Sequence, residues 1–94
     1  GVISEVYTAY QELKSALEQL KLQKETAEYV RKNRDLVEKE FIAGQAPLVR
    51  LNEAQRDLVD AEVRLASARV GLLRALYHLK TATAKSLFDF DQNN

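Results

Sequence analysis

Hydrophobic residues recur along this chain at spacings of three and four, and the clearest run lies in its second half. Leu51, Leu58, Leu65, Leu72 and Leu79 return every seven residues, and Ala54, Ala61, Ala68, Ala75 and Ala82 follow each of them by three. This is the seam of a long helix, with Leu at one core position and Ala at the other. Ala lets a neighbouring backbone approach closely, so the seam predicts tight packing. A second stripe occupies the same segment: Val59, Val63, Ala66, Val70, Leu73 and Tyr77. At about 100° per residue the two stripes lie roughly 150° apart. A helix in a simple two-stranded hairpin has one apolar face. Two nearly opposed faces predict a partner on each side, as for a stave in a wall.

The first half is less regular. Val6, Tyr10, Leu13, Leu17 and Leu20 keep a 4-3-4-3 rhythm. The next core positions in that phase include Lys24, Arg31 and Arg34, so the seam fails there. It resumes one residue out of phase as Ala27, Val30, Val37 and Phe41, with Leu22, Tyr29 and Leu36 as a stripe beside it. Such a slip predicts a local change of supercoiling. Charged residues four apart (Lys24–Glu28, Glu28–Lys32, Arg31–Asp35 and Arg34–Glu38) predict pairs that support the helix where its core is weak, each by a few tenths of a kcal/mol.

Punctuation is confined to one place. No Gly or Pro occurs from Val2 to Ala43, and only Gly71 from Leu48 to Leu87. Between them, Gly44 can take the left-handed conformation that ends a helix, and Pro47 fits the first turn of the next. The reading is a first long helix over 1–43, a tip turn over 44–47, a second long helix over 48–87 and a frayed tail over 88–94, where the helical period is lost. Each helix spans about 40 residues, or roughly 60 Å at 1.5 Å per residue. A turn that short forces the helices antiparallel. The predicted fold class is all-α: a long antiparallel two-helix coiled-coil hairpin, a fragment of an α-barrel. A start at Gly1, without Met, reads as a piece of something larger.

Composition narrows the function. The 14 Lys and Arg balance the 14 Asp and Glu, so no basic field favours nucleic acid. There is no Cys, which removes disulfides, thiolate zinc sites and a cysteine nucleophile. Charges interrupt every stretch before the roughly 18 apolar residues that a membrane span needs, and no basic segment followed by an apolar run resembles a signal peptide. The 46% hydrophobic content exceeds what one seam per helix requires and suits a wall element with two.

Candidate chemistry is sparse. His78 is the only histidine, and a metal site needs several ligands, so it reads as a solvated rim residue. Glu53, Asp57 and Asp60 cluster after the turn, but two helices supply no pocket between paired carboxylates. They read as acids suited to the positive start of a helix. Ser4, Ser15, Ser67 and Ser86 have no His and Asp in a triad-like arrangement, and the three Gly are too scattered for a phosphate loop. No catalytic residue, cofactor or metal is expected, and the chain is not expected to be an enzyme. The turn is the exception to this bland pattern. It combines a helix stop, a helix start, apolar anchors and a charged face, and reads either as the closed end of a coiled coil or as a docking tip.

At the turn the residues resemble the TolC family of outer-membrane efflux channels. In its second repeat that family carries an aromatic residue, a Gly three later, then a Leu-rich stretch ending in Asp-Ala-Gln or similar. Here the pattern reads Phe41-x-x-Gly44-x-x-x-Leu48-x-x-Leu51-x-Glu53-Ala54-Gln55-Arg56. Upstream, Ala9-Tyr10-Gln11-Glu12-Leu13 resembles a family segment, as does the run from Ala68 to Leu79 downstream. The likeness covers about residues 5 to 84.

The resemblance implies a trimeric channel with a membrane β-barrel on a periplasmic α-barrel, to which each protomer gives two helical hairpins. This chain would be one of those hairpins, lying in the periplasm and reaching the membrane only through β-strands outside it. Its tip, with Phe41, Gly44, Gln45, Ala46, Pro47, Leu48 and Leu51, would dock a periplasmic adaptor that links to an inner-membrane pump. In some members acidic residues just after the turn form the entrance constriction. Arg50 and Glu53 hold those positions here. Glu53 keeps the acid and Arg50 reverses the charge, which points to closure by salt bridges and does not carry cation selectivity over. Pro47 stands where Ser or Thr often caps the helix, Asn52 replaces a usual Leu, and Ala84 a frequent Gly. Two alternatives remain: an adaptor hairpin, whose usual Ser-Leu-Asp-like tip element is missing here, and a free-standing coiled-coil module, which needs one seam per helix. Self-association of the chain is expected, as a dimer or four-helix bundle.

Overall fold

The computed structural model describes residues 1–93. The chain is an all-α helical hairpin of α1 (Val2–Ile42) and α2 (Leu48–Asn93). Both form where Gly and Pro are rare and good helix formers abound. Glu5 in the first turn of α1 and Lys39 in its last complement the helix dipole. No helix among the described residues is long and apolar enough to cross a membrane.

The chain divides into two compact units. The turn unit is Lys21–Ser67, and the terminal unit joins Gly1–Leu20 to the part of α2 from Ala68 onward. In the terminal unit Glu5 pairs with Lys85 at 3.2 Å and Glu12 with His78 at 2.6 Å. In the turn unit Arg31 pairs with Glu62 at 3.1 Å and Glu40 with Arg50 at 3.2 Å. Within each unit the α2 partner number falls as the α1 number rises, so the helices run antiparallel.

On α2 the Leu and Ala seam is the inward face. Leu51, Ala54, Leu58, Ala61, Leu65, Ala75 and Ala82 are buried, and Ala68, Leu72 and Leu79 half-buried. With Leu51 as position a of a heptad and Ala54 as d, the seam continues through half-buried Ser86 and Asp89. This corrects the frayed tail expected over 88–94: α2 stays helical through Asn93, and only Asn94 lies outside the described residues. Polar residues at its a and d positions, Ser86 and Asp89, hide the helical period in the sequence.

On α1 the seam is Val2, Val6, Ala9, Leu13, Ala16, Leu20, Gln23, Ala27, Val30, Arg34 and Val37, each buried or half-buried. The spacing alternates four and three throughout, so the expected phase slip does not exist. Ala9 is 0% exposed while its neighbour Tyr10 is 55% exposed. Leu17 likewise points outward and Ala16 inward. The polar seam residues Gln23 and Arg34 imitate a break without causing one. Of the four ion pairs expected along α1, Arg34–Glu38 forms at 3.8 Å. Arg31 reaches across to Glu62 instead of Asp35, because its e position borders the seam. No ion pair joins Glu28 to Lys24 or Lys32 among the described residues.

Candidate functional site

The turn begins with a helix stop built on one glycine. Gly44 has φ +76°, in the region that a side chain disfavours. The Gln45 N–H donates to the Glu40 carbonyl at 2.7 Å and the Gly44 N–H to the Phe41 carbonyl at 3.0 Å. This pair of bonds is the Schellman motif, which satisfies carbonyls left over at a helix end. Pro47 then sits just before α2 as its cap residue. Its carbonyl accepts from the Arg50 N–H at 3.1 Å and the Leu51 N–H at 3.4 Å. It has no side-chain oxygen to satisfy further amides, as a Ser or Thr cap would.

The expected tip residues divide by exposure. Ala46 and Leu51 are buried, and Leu51 joins Val37 and Ala54 in the core. They hold the turn against the helices. Leu48 is exposed, and Phe41, Gln45 and Pro47 are open to solvent, as is Gly44 itself. Ile42 and Val49, absent from the expected set, are exposed apolar residues at the same end. Their signal was present in the sequence: both lie off the a and d positions yet are β-branched and apolar.

Arg50 and Glu53 part company. The Arg50 Nη1 donates to Glu40 Oε2 across the turn. Glu53, at a c position of α2, has no ion pair among the described residues. With Asp57 and Asp60 it lies beyond the first turn of α2, which carries no acid, so the expected helix-start role does not apply. His78 lies on the rim, its Nδ1–H donating to Glu12 Oε2. No group of three or more potential metal ligands occurs among the described residues.

The second stripe of α2 is the other prominent surface. In the turn unit Val59 and Val63 are 60% and 59% exposed, and in the terminal unit Val70, Leu73 and Tyr77 are between 47% and 73% exposed, although within each unit the Leu and Ala face of α2 is core. In the turn unit, Leu22, Tyr29 and Leu36 form a second exposed stripe on α1. In the terminal unit, Ile3, Val6, Tyr7, Tyr10, Leu79 and Ser86 line an open groove of about 390 Å³.

The sequence matches a known family over residues 1–85: the outer membrane efflux proteins. The chain belongs to the outer membrane efflux protein family. No curated protein and no solved structure compared with the chain matches it. The outer membrane efflux proteins are a bacterial outer-membrane transport family rather than a catalytic one. In this outer membrane efflux protein the exposed apolar residues and the turn are surfaces that the hairpin leaves open.

Proposed function

We propose that this chain is a periplasmic hairpin of a TolC-like outer-membrane efflux channel, one stave of its duct wall, with the turn as the entrance tip that docks a periplasmic adaptor. The observation that carries this reading is the second stripe of α2. A hairpin complete in itself leaves its outer positions polar. Here each unit exposes large apolar residues of α2 off its core seam, Val59 and Val63 in one and Val70, Leu73 and Tyr77 in the other, and clustered exposed apolar surface marks an interaction site. In the full channel the neighbours are other hairpins of a homotrimer. Leu48, Ile42, Val49 and Phe41 form the apolar part of the tip, and Glu53 supplies charge at the entrance. The family match sets aside the adaptor hairpin, and the second stripe disfavours a free-standing coiled-coil module.

The wall reading is tested by thiol protection. Val63→Cys and Leu73→Cys react freely with a hydrophilic maleimide in the diluted chain and are protected in the assembled full-length channel. Equal reactivity in the two settings sinks the wall. Docking is tested by retention of the channel on an immobilised hairpin from a periplasmic adaptor. Leu48→Glu lowers retention by about tenfold, the order expected for one buried apolar anchor; unchanged retention removes the docking role.

A further inference from the structure

Glu40 holds the turn twice. Its carbonyl accepts the Gln45 N–H at 2.7 Å, and its carboxylate accepts the Arg50 guanidinium at 3.2 Å. One residue thereby ties the last turn of α1 to the tip by its backbone and to the first turn of α2 by its side chain. The Glu40 side chain is 27% exposed, against 49% for Glu5 and Glu12 and 51% for Glu62 in the other cross-helix pairs, while Arg50 at 54% is as open as its basic counterparts, so the pair is shielded on its acidic side. Shielding from solvent strengthens such a pair relative to open ones. No residue from Ala43 to Pro47 is charged, so nothing in the turn competes for either partner.

The start of α2 lacks the two usual aids. Pro47 offers no capping oxygen, and the first turn has no acidic residue to complement the positive end of the dipole. Arg50 moreover puts a cation in that first turn, where the dipole disfavours it, and the Glu40 carboxylate from the other helix neutralises it. We infer that Glu40 and Arg50 form a clasp that positions the docking tip, fixing exposed Ile42 on one side of the turn relative to Leu48 and Val49 on the other. Arg50 then serves its own hairpin and is not the charge that closes an entrance. Glu53 is left as the uncompensated charge of the pair. The clasp rests on the docking reading for its purpose but not for its existence.

The test is amide hydrogen exchange in the 94-residue chain, with no adaptor present. Glu40→Gln and Arg50→Gln keep every backbone group, so the Gln45–Glu40 hydrogen bond can still form. Each speeds exchange at the Gln45 amide by about two- to fivefold, the range set by a partly exposed ion pair. The charge-swapped Glu40→Arg/Arg50→Glu chain returns toward the original rate. Arg31→Gln, which removes a cross-helix pair in the same unit, leaves the Gln45 rate unchanged. The clasp is overturned if neither Gln variant speeds exchange, if Arg31→Gln does so equally, or if the swapped chain exchanges at the product of the single effects. Loss of adaptor retention plays no part in this readout, so docking can fail while the clasp stands.

Discussion

At φ +76° Gly44 occupies a backbone region that costs an L-residue about 1–2 kcal/mol, while Gly71 lies inside α2 with ordinary helical geometry. A side chain at either position meets nothing within 4 Å, so sterics do not separate them and the backbone does. Gly44→Ala lowers stability by about 1 kcal/mol, which for a chain of this size moves the thermal midpoint down by roughly 4–8 °C. Gly71→Ala raises stability by about 0.5–1 kcal/mol, because helical Gly pays the larger backbone entropy. Thermal unfolding followed by circular dichroism at one fixed dilution reads both. Shifts of the same sign would show that Gly44 does not carry the turn. The role of Gly44 was legible in the sequence, since it stands between two long stretches free of breakers. The Glu40–Arg50 contact was not, since residues ten apart meet only once the turn exists.

The two helices were legible to different degrees. On α2 the seam uses one large and one small residue in strict alternation, so both size and spacing mark it. On α1 the small seam residues Ala9 and Ala16 sit beside large outward ones, Tyr10 and Leu17. Both sets satisfy a spacing of three or four from Val6, Leu13 and Leu20. Hydrophobicity favours Tyr and Leu, but the phase that continues through Gln23 to Ala27, Val30 and Val37 requires the alanines. The choice depends on how closely the partner helix approaches, which one helix cannot reveal. Mutation separates the two assignments. Ala9→Leu forces extra methylenes into a filled site and costs about 1–3 kcal/mol. Tyr10→Gln alters an exposed residue and changes stability by no more than about 0.5 kcal/mol. Urea unfolding of both variants measures the difference, and a larger cost for Tyr10→Gln would restore the displaced seam.

For the whole molecule the decisive feature is apolar surface that the hairpin does not cover itself. The seam residues account for the folding of each unit, yet Val59, Val63, Val70, Leu73 and Tyr77 remain open. In an assembled channel neighbours would cover them; in isolation only another copy can. The chain carries no net charge, so long-range repulsion between copies is weak. Sedimentation equilibrium over increasing concentration therefore gives an average mass that rises above that of the monomer. Val63→Lys/Leu73→Lys places two like charges on the stripe while leaving the buried Leu and Ala seam intact. This chain sediments as a monomer across the same range and keeps the helical circular dichroism of the original. The control Leu58→Lys instead charges the inward face and unfolds the hairpin, which separates loss of assembly from loss of fold. If the original chain holds its monomer mass at every concentration, the second stripe is not an association surface, and the stave reading loses its main physical support. If the doubly charged chain still associates, assembly runs through the other exposed surfaces, Leu22–Tyr29–Leu36 or the groove at Tyr7 and Tyr10.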